Sequence, residues 1–82
     1  MGLAMNELIS YIAKSLVDHP ESVDVQEKED IGNNSIIFEL KVAKEDLGKV
    51  IGRQGRTAHA MRTLLSAMAG KEQKQAILKI ME

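Results

Sequence analysis

Cysteine is absent from the 82 residues, and with it go disulfides, thiolate nucleophiles and cysteine-ligated zinc. The absence is compatible with a reducing cytosol. No apolar run approaches the roughly 20 residues that a membrane span needs. The opening Met1-Gly2-Leu3-Ala4-Met5-Asn6 has neither the basic region nor the apolar core with a cleavage site of a secretory leader. A cytoplasmic chain without membrane contact is therefore expected. Pro/Gly/Ser-rich tracts and blocks of like charge are also lacking, so order is expected almost end to end. Clustered His/Asp/Glu at metal spacing and a nucleotide-phosphate lysine loop are missing too, and a chain this short has no room for a second, catalytic domain. No enzymatic activity and no cofactor is expected.

What is present is a globular composition, 44% apolar and 28% charged, with 11 Lys and Arg against 12 Asp and Glu. The net charge of −1 hides two opposite halves. Residues 1–46 carry ten acids (Glu7, Asp18, Glu21, Asp24, Glu27, Glu29, Asp30, Glu39, Glu45, Asp46) and four bases (Lys14, Lys28, Lys41, Lys44), a sum of −6. Residues 47–82 carry seven bases (Lys49, Arg53, Arg56, Arg62, Lys71, Lys74, Lys79) and two acids (Glu72, Glu82), a sum of +5. No acid lies between Asp46 and Glu72. A polyanion would meet the second half first.

Met5, Leu8, Ile9, Ile12, Ala13 and Leu16 fall on one stripe of a helix, predicted over about 4–18 and stopped near Asp18-His19-Pro20. Alternation predicts a strand over about 22–28, with Val23 and Val25 on one face. After the turn-forming Asp30-Ile31-Gly32-Asn33-Asn34, a second strand is expected over about 35–42, with Ile36, Phe38, Leu40 and Val42 on one face. These two read as an antiparallel hairpin. A short helix is predicted over about 44–51, where Glu45 and Asp46 suit the positive end of its dipole. A longer one follows over about 56–69, with Ala58, Met61, Leu64, Leu65 and Met68 on one face. A last strand is expected over about 75–81, although Ala76-Ile77-Leu78 is a continuous apolar run that periodicity alone leaves open between strand and helix. Met5, Met61 and Met68 read as core filling. The order α-β-β-α-α-β predicts an α+β two-layer sandwich spanning 1–82, helices on one face of a small antiparallel three-stranded sheet.

The most informative stretch is Gly48-Lys49-Val50-Ile51-Gly52-Arg53-Gln54-Gly55-Arg56-Thr57, in which two glycines bracket two long polar residues between two helices. Glycine accepts positive φ and lets another backbone come close. The helix opened by Thr57 has N–H groups without intrahelical partners at the positive end of its dipole, which suits a phosphate. Arg53 and Arg56 flank the loop, with Lys49 one turn before it and Arg62 further along the next helix, so side chains can join the backbone in holding phosphates. Val50, Ile51 and Ala58 are aliphatic neighbours suited to floor a groove for bases. Both aromatics, Tyr11 and Phe38, lie far off in sequence, so stacking on aromatic platforms is not expected.

Val50-Ile51-Gly52-Arg53-Gln54-Gly55, followed by Ala58 and Met61, resembles the GXXG signature of KH domains, and the element order resembles their type II, bacterial arrangement. From about residue 5 to 82 the chain is similar to the short single-KH proteins of the bacterial KhpA family, whose opening helix matches Tyr11 to Asp18. The resemblance implies a grip on about four nucleotides of single-stranded RNA or DNA, with the loop set against the backbone. It further implies an RNA-chaperone-like regulator that self-associates, pairs with a larger KH-containing partner, KhpB, and is linked to cell envelope growth and cell length. Two departures stand out. Ala58 takes a place where many KH domains have a larger Ile, and Gln54 one where a second basic residue is common; together they imply a shallower groove and a weaker phosphate grip.

Plainer readings remain beside these. A bare G-x-x-G is a turn in most proteins, an arginine cluster is often only a solvated face, and His19 and His59 read as ordinary surface or half-buried histidines. Ile37, Ile77 and Met81 fall on strand faces away from the core and suit an edge contact or a dimer surface. The alternative function is thus a protein-docking or dimerisation module in which the loop contributes little.

Overall fold

The computed structural model describes residues 4–82. Met1–Leu3, with which the stretch read for a leader begins, lie outside the described residues. The regular elements are α1 (Met5–Leu16), β1 (Asp24–Asp30), β2 (Ser35–Lys41), α2 (Leu47–Ile51), α3 (Arg56–Gly70) and β3 (Gln75–Met81). Single 3₁₀ turns occupy Pro20–Ser22, Ile31–Asn33, Lys44–Asp46 and Arg53–Gly55. The α-β-β-α-α-β order matches the sequence reading, as does the two-layer α+β arrangement.

The sheet corrects that reading in one respect. β2 is its central strand, antiparallel to β1 but parallel to β3, so the sheet is mixed rather than antiparallel. Of the two helices in this connection only α3, with fifteen residues, is long enough to span the sheet, so the chain is carried back to the end where β2 begins and β3 runs parallel to it. Register runs from Asp24↔Lys41 to Asp30↔Ser35 on one side of β2 and from Ser35↔Gln75 to Lys41↔Met81 on the other.

Alternation along β2 sends Ile36, Phe38 and Leu40 into the core, where all three are buried. Leu78 of β3 joins them, and Val25, Ala76 and Ile80 pack at the margin. The helices close this face with Ile9 and Ala13 of α1, Val50 of α2, and Met61 and Leu65 of α3. The other face carries Ile37 directly opposite Ile77.

Boundaries differ for local reasons. α1 ends at Leu16 rather than near 18 because Val17 is extended, at φ −96° and ψ 161°, which leaves Leu16 uncovered. The first strand begins at Asp24, not 22, because Pro20–Ser22 closes a turn with the Val23 N–H donating to the Pro20 carbonyl at 3.2 Å. It runs on to Asp30, whose carboxylate accepts the Asn33 backbone N–H at 3.4 Å and its side-chain amide at 2.8 Å. The helix expected over 44–51 is a 3₁₀ turn followed by the five residues of α2. On α3 the buried stripe is Ala58, Met61, Leu65 and Ala69, while Leu64 lies off it and is 48% exposed. Of the three methionines assigned to the core, Met61 is buried, Met5 packs at its edge, and Met68 is half-buried beside a groove it lines with Ala4 and Met5.

Candidate nucleic-acid interface

Three of the four residues from Gly52 to Gly55 have positive φ. Gly52 has φ 80° and ψ 170°, a region only glycine occupies comfortably; Gln54 has φ 58° and Gly55 φ 73°. The Gly52 N–H donates to the Gly48 carbonyl at 2.9 Å, and the Gly55 N–H to the Gly52 carbonyl at 3.1 Å. The two glycines are not equivalent. A β-carbon on Gly52 would stand 2.3 Å from Thr57 Oγ1 and 2.9 Å from the Thr57 nitrogen, whereas one on Gly55 would meet nothing within 4 Å. Thr57 is thus the wall against which the loop closes.

α3 leaves this loop directly. Gly55, at its N-cap, has no side chain to cap it, and its first turn holds no acid. The Gly55 and Arg56 N–H groups are taken by the Gly52 and Arg53 carbonyls, so it is the positive dipole end, with no acid beside it, that faces the loop. Fifteen residues of helix stand behind it.

The residues assigned from sequence lie in different surroundings. Arg53, Gln54 and Arg56 are exposed around the loop, with an Arg56 Nη2 donating to Gln54 Oε1 at 3.2 Å. Arg62, one turn and a half further along α3, reaches back to the Leu78 carbonyl on β3 at 3.5 Å. Val50 and Ala58 are buried, so the groove floor expected of them is not at the surface; Ile51 of α2 and Leu64 of α3 are the exposed large apolar residues on these helices. Lys49 is already engaged: its ammonium bonds Asp18 and lies 3.5 Å from Asp46 Oδ1. Gly52, Gly55 and Thr57 form the frame. His59 is exposed at the start of α3, and His19 stands within 3.7 Å of Glu45 and 3.6 Å of Glu21.

Asp46 is the residue the sequence reading placed for the wrong reason. It was expected to favour the dipole of the following helix, yet it makes no cap there. Its side chain is buried and turns back to accept the backbone N–H groups of Asp18, at 3.2 Å, and His19, at 3.0 Å. Burial pushes its carboxyl up, but those two N–H groups and the Lys49 ammonium outweigh it and hold the carboxyl below the ordinary carboxylate value. Lys49 is correspondingly raised, chiefly by its bond to Asp18. A charged residue followed by a helix carries no pattern that announces such a contact; only Asp18 and Asp46 meeting across 28 positions reveals it.

The depressed carboxyl has a consequence in acid. A group whose folded value lies below its unfolded one stabilises the fold above the unfolded value, near pH 4 for an aspartate, and that contribution is lost as pH falls further. The melting temperature is expected to drop below about pH 4. An Asp46→Asn variant, less stable at neutrality, is expected to show a shallower drop over the same range.

A two-layer α+β domain in which a βααβ unit presents a glycine-bracketed loop between its helices is a KH domain, here with the preceding helix and strand of the type II arrangement. The family model for the KhpA/KhpB KH domain matches residues 6–80, and the chain belongs to that family. Its relatives include proteins named RNA-binding protein KhpA. The one from Caldanaerobacter subterraneus subsp. tengcongensis is 58% identical over 76 residues, covering 93% of this chain and 99% of the relative. Those from Clostridium perfringens and Listeria monocytogenes are 57% and 49% identical, covering 93% and 95% of this chain and 99% and 100% of theirs. The fold is also that of part of Era, solved in complex with MgGDPNP and nucleotides 1506–1542 of 16S ribosomal RNA. The TM-score is 0.53 at 20% identity, over 94% of this chain and 29% of Era. An Aquifex aeolicus Era bound to GDP and AlF4⁻ gives the same TM-score at 19% identity, over 99% of this chain and 32% of that one.

Proposed function

We propose that the chain binds single-stranded RNA, or single-stranded DNA, by setting the nucleic-acid backbone against the Gly52–Gly55 loop. The observation that carries this reading is the uncapped, acid-free start of α3 behind a loop whose two exposed arginines flank it. A phosphate is drawn to the positive end of α3, and Arg53 and Arg56 add charge-assisted bonds. With no aromatic platform at the loop, affinity rests on the backbone, and bases contribute through van der Waals contact with Ile51 and the loop itself.

The names of the relatives support RNA as the ligand. The role that goes with this reading is that of an RNA chaperone or post-transcriptional regulator in the cytoplasm, acting on envelope growth and cell length. One copy touches few phosphates, so a second copy or a larger KhpB-like partner raises affinity through effective concentration. Ile37 and Ile77, in one row of the outer sheet face, and Met81 at its end favour a protein contact there.

Titrating ¹⁵N-labelled protein with a short unstructured RNA tests the reading. Amide shifts are expected to concentrate at Ile51–Thr57. Shifts confined to the outer face around Ile37 and Ile77 would replace it with the docking role.

A further inference from the structure

Lys49 sits one turn before Gly52, where a cation is expected to serve the phosphate. In the structure it is turned the other way. Its ammonium lies between the exposed carboxylate of Asp18, just past the end of α1, and the buried carboxylate of Asp46, just before α2. Asp46 in turn takes the N–H groups of Asp18 and His19. Three side chains and two backbone amides thus join the tail of α1 to the foot of the five-residue helix from which the loop hangs. α2 is too short to hold its own direction, since so few residues barely complete one turn of hydrogen bonds. Val50, buried in the core, and Leu47, packed at its margin, hold one side of α2; the ion pairs at its start tie it to the end of α1 as well.

We infer that Asp18, Asp46 and Lys49 form a clamp that sets the orientation of the GXXG loop, and that Lys49 is a positioning residue rather than a phosphate contact. The inference rests on the RNA-binding reading only for its effect on affinity. Two roles for Lys49 give opposite signs at Asp18. If Lys49 held phosphate, Asp18 would be its competitor, and removing that charge would tighten RNA binding. If the clamp orients the loop, removing Asp18 weakens binding, although the change makes the protein less acidic.

The population of correctly oriented loop enters affinity as a simple factor. A clamp whose loss leaves the loop properly set about one-fifth of the time weakens binding about fivefold at every salt concentration. The slope against salt stays unchanged, because no phosphate contact is lost. Loss of a true contact lowers that slope by about 0.7 for a single strand.

The experiment compares Asp18→Asn, Lys49→Met and Lys49→Arg with the native chain by two readouts. Asp18 and Lys49 are both largely exposed, so these variants leave the core intact. Hydrogen exchange in the free protein is expected to quicken about fivefold at the Gly52 and Gly55 amides in Asp18→Asn and Lys49→Met, with strand amides unchanged and Lys49→Arg close to native. Anisotropy with labelled single-stranded RNA is expected to show weaker binding of the first two variants at unchanged salt slope. Exchange at Gly52 and Gly55 that ignores all three substitutions overturns the clamp. So does Asp18→Asn binding RNA more tightly with a steeper slope. A native chain that binds no RNA, while exchange follows the expected pattern, overturns the RNA reading and upholds the clamp.

Discussion

Replacing Gly52 with alanine is expected to destabilise the domain by about 2 to 4 kcal/mol and to abolish RNA binding. Two effects add. At φ 80° and ψ 170° any side chain is strained by roughly 1 to 3 kcal/mol. The new β-carbon would also stand 2.3 Å from Thr57 Oγ1 and 2.9 Å from the Thr57 nitrogen, a contact that only movement of the α3 start can relieve. That movement displaces the helix start assigned to phosphate. Gly55 supplies the control. At φ 73° with open space around it, Gly55→Ala is expected to lose only about 1 kcal/mol, and Gly55→Asn less, because asparagine tolerates the left-handed region. Thermal melts of the three variants decide the matter; equal losses at the two glycines would mean that the Thr57 wall is not what selects glycine at 52.

The double variant Arg53→Asp, Gln54→Asp is expected to keep the fold and to lose RNA affinity by a factor of about 100 or more. Both side chains are exposed, and aspartate suits the φ of 58° at position 54 better than glutamine does, so the loop itself is not penalised. On the binding side, one charge-assisted bond worth about 1.5 to 3 kcal/mol is removed. Two carboxylates then face the phosphates from the middle of the loop. A melt within a few degrees of native, alongside lost binding, is the expected pair of results; unaltered RNA affinity would assign the loop no part in the contact.

Much of this could be read from the chain because each element declares itself by local pattern. The alternation Ile36, Phe38, Leu40 names the buried face of β2, and Ile9 and Ala13 fall on the expected stripe of α1. The loop was legible because its two glycines bracket two polar residues between two helical patterns, and both glycines take the positive φ that such a turn requires. What escaped was relational. Whether β3 pairs parallel to β2 is decided by the crossover through α2 and α3, a cue present in the 33 residues between Lys41 and Gln75 but weaker than the hairpin signal beside it. Leu64 reads as core by composition yet lies off the Ala58–Met61–Leu65–Ala69 stripe. Val50 and Ala58 are apolar neighbours of the loop in sequence, and packing, not proximity, put them under it rather than at its surface. Asp46 and Lys49 each carry a plausible local role, with a helix dipole and with a phosphate; the contacts across the fold to Asp18 and His19 leave no mark in the local pattern.

The central claim is that the GXXG loop grips the backbone of a single strand, and fluorescence anisotropy with a short labelled RNA over a salt series tests it most directly. Contact with about three or four phosphates predicts a log–log slope of about 2 to 3 in magnitude for the native chain, with binding lost in the Arg53→Asp, Gln54→Asp variant. Binding of equal strength in both proteins, or none in either, would contradict it and leave protein docking as the role of the fold.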